Sequence, residues 1–295
     1  REQFCAASPK PVDISPFFIV HAQCCIRYVA GWHPHGVIPV TAAWCMMSEA
    51  WRNHPQLKRV NLALASSTIN HLVPHMRDMV QWTGGIEVCT IVCQLLASQD
   101  IELDPSYLCL GEQGKYRAST GAQDLDLIVP GGQSESIESS STERDITLVA
   151  RHKGFIRIAI QAGATLLPIF CFGETKLLDN INMKSLQRRS KKLLGFPFPF
   201  VPYGMYNIIN FVHLLPVHVE SNLIHQKIGL WNFLPIPRSE EVYVVVGTPI
   251  VVEQCSDPTE HMVEDAHERY FGEIRRIFEQ HKVAAGYKDS RLLFI

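Results

Sequence analysis

Short apolar runs, several of which break at proline or glycine, alternate along this chain with segments of helical spacing. Ile26 to Trp32 is β-prone and runs into His33-Pro34-His35-Gly36, and Leu125 to Val129 stops at Pro130-Gly131-Gly132. Val60 to Ala65 reads as a further strand, as does Thr165 to Phe172, with Pro168 expected to break it before Gly173-Glu174. Glu241 to Val246 reads as another, turning at Gly247-Thr248-Pro249. Between them, Trp44, Met47 and Trp51 recur at helical spacing within Val37 to Arg52. Gly84-Gly85 predicts a turn with a helix over Ile86 to Ala97, and Lys153 to Ala162 predicts a helix with Phe155, Ile158 and Ala162 on one face and Gly163 as its stop. The last helix has Asp257 as expected N-cap, Pro258 at its first position and Glu260 completing a capping box. Its face is Val263, Ala266, Tyr270, Ile274, Ile277 and His281, with Gly286 as a stop. Strands alternating with helices in this way imply an α/β fold: a mixed, largely parallel sheet covered by helices.

The chain has 295 residues, 46% hydrophobic and 19% charged, enough to bury a sizeable core without metal or disulfide staples. We read 1–25 as an irregular lead-in and 26–295 as a single domain, with the polar stretch 100–124 as a long loop or insertion. Ser134 to Asp145, rich in Ser and Glu, is expected at the surface. A formal net charge of −2 argues against general nucleic-acid binding. The nine cysteines include no C-x-x-C pair, which removes zinc-ribbon and thioredoxin readings and suggests inert thiols in a reducing compartment. Arg1 to Lys10 reads as neither a signal nor a transit peptide. Leu193 to Val219 lacks Lys, Arg, Asp and Glu but is interrupted by four prolines, a poor spanning helix that can still dip into a membrane. The adjoining Lys184, Arg188, Arg189, Lys191, Lys192 run reads first as a solvated helix face and, alternatively, as a membrane-surface attractor.

The chemistry concentrates at strand ends, where open α/β sheets bind ligands. In His33-Pro34-His35-Gly36, His35 is the candidate general base. His33 is either a second catalytic group or a residue that shapes the turn, and Gly36 permits close backbone approach. A metal held by the two histidines lacks a third ligand at a usual spacing, so no metal site is expected. Gly131 and Gly132 can turn backbone N–H groups toward an anion or oxyanion. Glu135 can orient and polarise a histidine, with Glu138 as its competitor in the same segment. Arg151 and Lys153, at a helix start, can hold a phosphate-bearing ligand. There is no G-x-S-x-G elbow, P-loop or H-E-x-x-H motif.

Four blocks in order resemble the type-2 diacylglycerol acyltransferase family, which also holds monoacylglycerol and wax-alcohol acyltransferases. They are Tyr28-Val29-Ala30-Gly31-Trp32-His33-Pro34-His35-Gly36; Val129 to Ser136 with its GGxxE pattern; Arg151 to Glu174; and Val244 to Ile250 with the Asp257-Pro258-Thr259 helix. The resemblance implies a glycerolipid-acyltransferase-like fold and transfer of a fatty acyl group from acyl-CoA, a co-substrate rather than a cofactor, to a neutral lipid hydroxyl. Diacylglycerol is the first expectation for the acceptor; monoacylglycerol, a long-chain alcohol or a silent lipid-binding role are the alternatives. It also implies membrane association, at the endoplasmic reticulum and lipid droplets. Carried over residue by residue, His35 is the catalytic base and Glu135 its partner. The chain departs from the broader H-x-x-x-x-D pattern, because Val40 stands at the Asp place counted from His35. It also lacks the arginine of the family's glycine-arginine-glycine turn near Tyr203-Gly204.

Overall fold

The computed structural model describes residues 13–14, 27–48, 60–72, 77–78, 80–81, 85–87, 123–204 and 236–295. Strand β2 (Tyr28–His33), buried along its whole length, is the middle of a seven-stranded sheet. Toward one edge it is followed by β5 (Gln123–Ile128), β3 (Val60–Ser66) and β4 (Gly85–Glu87). Toward the other it is followed by β7 (Thr165–Phe172), β8 (Tyr243–Val246) and β1 (Asp13–Ile14). Neighbours are parallel except β7 and β8. The mixed, largely parallel sheet read from the sequence is therefore what forms. A separate parallel pair joins β6 (Ile146–Leu148) to β9 (Leu292–Phe294), and the short helix α2 (Thr68–Leu72) follows β3.

The sheet is apolar on both faces, as parallel sheets under helices must be. Tyr28, Ala30, Trp32, Leu167, Ile169 and Cys171 face one layer with Ala42 and Cys45 of α1 (Val40–Met47). Val29, Leu166, Phe170 and Phe172 face the other. There they meet Ile156 and Ile160 of α4 (Gly154–Ala162) and Tyr270, Ile274 and Phe278 of α7 (Glu260–His281). Each Val, Leu, Ile or Phe among them contributes roughly 1.5–3 kcal/mol when fully buried. The strand pleat, with its period of two, is what sorts odd and even residues between the layers.

Five local expectations are corrected. Pro168 does not break β7: its carbonyl accepts Gly247 N–H at 2.8 Å just beyond the last residue of β8. The missing proline N–H therefore falls at the end of a ladder. Gly85–Glu87 is a strand that pairs in parallel with β3 at the sheet's edge, so no helix begins at Ile86; the rest of that expected helix lies outside the described residues. Ser134 to Ile137 are buried in helix α3 (Gly132–Glu138), not exposed. At α7 the N-cap is Thr259, whose Oγ1 accepts Met262 N–H at 3.3 Å, rather than Asp257, and its apolar face also takes in Phe271 and Phe278. On α4 the buried residues are Ile156, Ala159, Ile160 and Ala162; Phe155 and Ile158 are only partly covered, and Gly163 closes the helix at φ 62°. The lead-in contributes Asp13–Ile14, parallel to β8. Most of 100–124 and residues 205–219 lie outside the described residues. Cys45 and Cys171 are buried free thiols, and burial pushes the Cys45 thiol up to about 12.

Candidate active site

Strands β2 and β5 are adjacent, but the chain leaves them in opposite directions: from β2 through α1 to β3, and from β5 through α3 and α4 to β7. The crevice at their carboxyl ends is the ligand position of such sheets. Both sequence motifs, His33-Pro34-His35-Gly36 and Pro130-Gly131-Gly132, sit there.

Two buried carboxylates hold this crevice. Glu135, 2% exposed, accepts His35 N–H on Oε2 at 2.8 Å and Val149 N–H on Oε1 at 2.8 Å. Glu174, on the short helix α5 (Glu174–Leu177) that follows β7, accepts Val40 N–H at 3.0 Å and Thr41 N–H at 3.1 Å. It thus caps the start of α1, accepting Thr41 N–H and sharing Val40 N–H with the Ile38 carbonyl. Val40, at the place where H-x-x-x-x-D enzymes carry an aspartate, is therefore held through its backbone by a glutamate from elsewhere in the chain. Gly36 adopts φ 63° beneath Glu174, whose Cγ would lie 3.0 Å from a Cβ there. At Gly131 a Cβ would stand 1.9 Å from Glu135 Cδ, so the absence of a side chain admits the carboxylate.

The hydrogen bonds fix the tautomers of both histidines. His35 Nδ1 lies 3.1 Å from the Gly36 carbonyl, which can only accept, so Nδ1 carries the proton and Nε2 a lone pair. Nε2 has no hydrogen-bond partner among the described residues. Tyr270 Oη donates to the Gly31 carbonyl at 3.2 Å and therefore accepts from His33 Nε2 at 3.1 Å. His33 Nδ1 is left buried and unpartnered, 4.0 Å from Glu135 Oε1. Burial pulls His33 down to about 3 and His35 to about 4, against the raising effect of the His35 bond to Gly36. Burial likewise pushes Glu135 up to about 7, and Glu174 well above the usual carboxylate range.

The remaining expected site residues separate. Gly132 N–H is taken by the Val129 carbonyl at 3.1 Å, so it is no donor to a ligand. Lys153 is ion-paired with Glu264 on α7. Arg151, exposed, reaches Ser134 Oγ at 3.4 Å, and Lys191 of α6 (Lys184–Leu194) hydrogen-bonds the same oxygen. Two cations thus converge one residue from Glu135, and desolvation with the nearby Arg151 charge lowers the Lys191 ammonium. A cleft is lined by Pro34, Gly36, Glu135, Glu138, Ser139 and Asp145. Sequence reasoning missed Glu174, Tyr270 and Lys191 as site residues. Only Glu174 had a local signal, a glutamate directly after a glycine at a strand end. No group of three or more metal-ligating side chains occurs among the described residues.

Fold and site together are those of an α/β enzyme with a buried histidine–carboxylate centre at the sheet's carboxyl edge. The profile of the Diacylglycerol acyltransferase family matches residues 21–101 and 116–295. The chain belongs to that family and is an acyltransferase. It is 26% identical to 2-acylglycerol O-acyltransferase 1 of Bos taurus over 90% of this chain and 69% of that protein. It is 24% identical to Diacylglycerol O-acyltransferase 2 of Dictyostelium discoideum over 90% of this chain and 68% of that one. It is 26% identical to Acyl-CoA wax alcohol acyltransferase 1 of Homo sapiens over 100% of this chain and 76% of that one. No solved structure matches the chain.

Proposed function

We propose that this chain transfers a fatty acyl group from acyl-CoA to the hydroxyl of diacylglycerol, with His35 as general base. The observation that carries this reading is the His35 tautomer: Nδ1–H is committed to the Gly36 carbonyl, which leaves Nε2 basic and open. Nε2 takes the proton of the acceptor hydroxyl as its oxygen attacks the thioester carbonyl. The tetrahedral intermediate then collapses, the C–S bond breaks, and the imidazolium returns the proton to the departing thiolate. The products are an ester and free CoA. A neutral imidazole at physiological pH is the form this step needs.

Glu135 acts through the backbone: it holds His35 N–H, and so the ring, in place. His33 is a positioning residue on this reading, since its ring packs edge-on against Tyr270 and Phe271 and is fully buried. Arg151 and Lys191 supply positive charge for the phosphates of CoA. Membrane association, at the endoplasmic reticulum and lipid droplets, follows from where such acceptors dissolve. The similarity to a 2-acylglycerol O-acyltransferase, as high as that to any diacylglycerol enzyme named above, supports monoacylglycerol as a second acceptor.

The test is the purified chain with labelled oleoyl-CoA and, in parallel, diacylglycerol, monoacylglycerol and hexadecanol. Labelled triacylglycerol as the main ester is the expected product. Main product from another acceptor would reassign the substrate, and no ester from any acceptor would remove the reading.

A further inference from the structure

Helix α6 is built inside out. Its inward residues include Gln187 and Ser190, 1% and 9% exposed. Gln187 Nε2 donates to the carbonyls of Ile181 at 3.1 Å and Pro199 at 2.8 Å. Ser190 Oγ accepts Phe198 N–H at 2.7 Å. Its outward residues include Leu186, Leu193 and Leu194, at 45%, 85% and 58% exposure, with Met183 and Phe198 flanking them at 43% and 55%. A surface helix of a globular protein does the reverse. Leu186, Arg189 and Leu193 stand at i, i+3 and i+7, which puts a cation inside the apolar stripe.

The cations of α6 divide in the same way. Lys184 and Arg188 pair with Glu138, and Lys184 also with Glu143. Lys191 turns inward to Ser134. Arg189 and Lys192, both exposed, have no carboxylate partner among the described residues. Apolar side chains that project beside unpaired cations fit an anionic lipid surface: the leucines enter the acyl boundary and the cations meet phosphate. A second copy of the chain fits poorly, because a self-complementary interface would set this cationic face against itself.

We propose that the outer face of α6, continued by Phe198, is a docking surface for an anionic phospholipid bilayer. No helix among the described residues is long and apolar enough to cross a membrane, and docking of this kind needs none. The inner side of the same helix joins α3 through Lys191–Ser134 and Arg188–Glu138, and α3 carries Glu135. The docked face therefore lies one helix away from the acyl-transfer centre. Resting on the function proposed above, this gives an oily acceptor a short route out of the bilayer.

The experiment is co-sedimentation of the full chain with vesicles of phosphatidylcholine alone or with phosphatidylserine added, at low and high salt. The wild type is compared with Arg189→Gln/Lys192→Gln and with Leu193→Ser/Leu194→Ser. The charge variant is expected to bind serine-containing vesicles roughly 25-fold more weakly, at about 5-fold per cation. It should bind phosphatidylcholine vesicles as the wild type does. The leucine variant should lose binding to both while melting at the wild-type temperature. Wild type indifferent to phosphatidylserine, or variants that bind as the wild type, would overturn the proposal. So would a lowered melting temperature or an altered mass by light scattering with vesicle binding intact; these would mean that this chain or a second copy covers the leucines. Ester formation in detergent micelles separates the two readings. Transfer with α6-independent vesicle binding removes the docking surface alone; α6-dependent binding without transfer removes the enzymatic reading alone.

Discussion

Glu135 holds the backbone N–H of His35, 100 residues away in sequence, at 2.8 Å, and with its other oxygen holds Val149 N–H at the same distance. One side chain on α3 thus ties the carboxyl end of β2 to the segment that follows β6. Two N–H groups point at two oxygens, and an amide offers only one. Glu135→Gln should therefore leave one donor opposed by an NH2 group and cost about 1–3 kcal/mol. The displaced loop should lower kcat by roughly 100-fold. Steady-state kinetics with thermal melts of the same preparation check both; unchanged kcat would mean that the loop needs no such tie.

The two neighbouring glycines separate close approach from backbone strain. A methyl group at Gly131 would collide with the Glu135 carboxyl, whereas nothing lies within 4 Å of one at Gly132. Gly131→Ala is expected to reproduce the kinetic defect of Glu135→Gln. Gly132→Ala should retain most activity and lose about 1–2 kcal/mol, the cost of an L-residue at φ 50°. Equal kcat losses in the two variants would contradict this assignment.

Tyr270 determines which nitrogen of His33 carries the proton. Tyr270→Phe removes the oxygen between His33 Nε2 and the Gly31 carbonyl, two buried groups left without that partner, at about 1–3 kcal/mol. Nitrogen-15 NMR should find His33 as the Nε2–H tautomer in the wild type and a mixture in the variant. An Nδ1–H signal in the wild type would overturn the assignment.

The pH dependence of stability has a sign that can be worked out for Glu135. Its folded pKa is raised from 4.5 to about 7 by burial. The folded state therefore keeps a proton that the unfolded state loses, and the linked stability is full below 4.5 and gone once pH passes 7. Glu135→Gln lacks this contribution. The stability advantage of the wild type should thus shrink as pH rises through that window, while the opposite contributions of the buried histidines are common to both proteins. Calorimetry across the window checks this, and a constant gap would mean that Glu135 stays ionised throughout. For His35, lowered to about 4 chiefly by burial, the residual kcat/KM of Glu135→Gln, which lacks the Glu135 titration near 7, should stay flat as pH falls through neutrality. Its acid limb should lie well below the usual histidine value of about 6.5.

How much of this was legible in the sequence depends on the range of the interaction. The strand that ends in His33-Pro34-His35-Gly36, the turn at Gly131-Gly132 and the stop at Gly163 are local, and local residue types announce them. The burial of Glu135 is not: Ser134 to Asp145 is polar enough to read as surface, and only the N–H groups of His35 and Val149 explain why a carboxylate is drawn inside. Tyr270 reads as one more residue of a helical stripe, because its hydroxyl meets a carbonyl 239 residues away. Pro168 misleads for the same reason, since the β7–β8 ladder on the side of its missing N–H ends beside it. In α6 the cation run is visible in sequence, but which of its faces is turned inward is decided by Gln187 and the Pro199 carbonyl.

The central claim is that His35 Nε2 takes the proton of the acceptor hydroxyl, and the most direct measurement is ester formation from labelled oleoyl-CoA by purified wild type and His35→Ala. His35 is partly exposed, and of its hydrogen bonds the substitution removes the one from its ring to the Gly36 carbonyl, so the variant should fold. The account predicts a loss of about 10²–10⁴-fold in kcat with circular dichroism unchanged. A folded His35→Ala variant that turns over at the wild-type rate would contradict it.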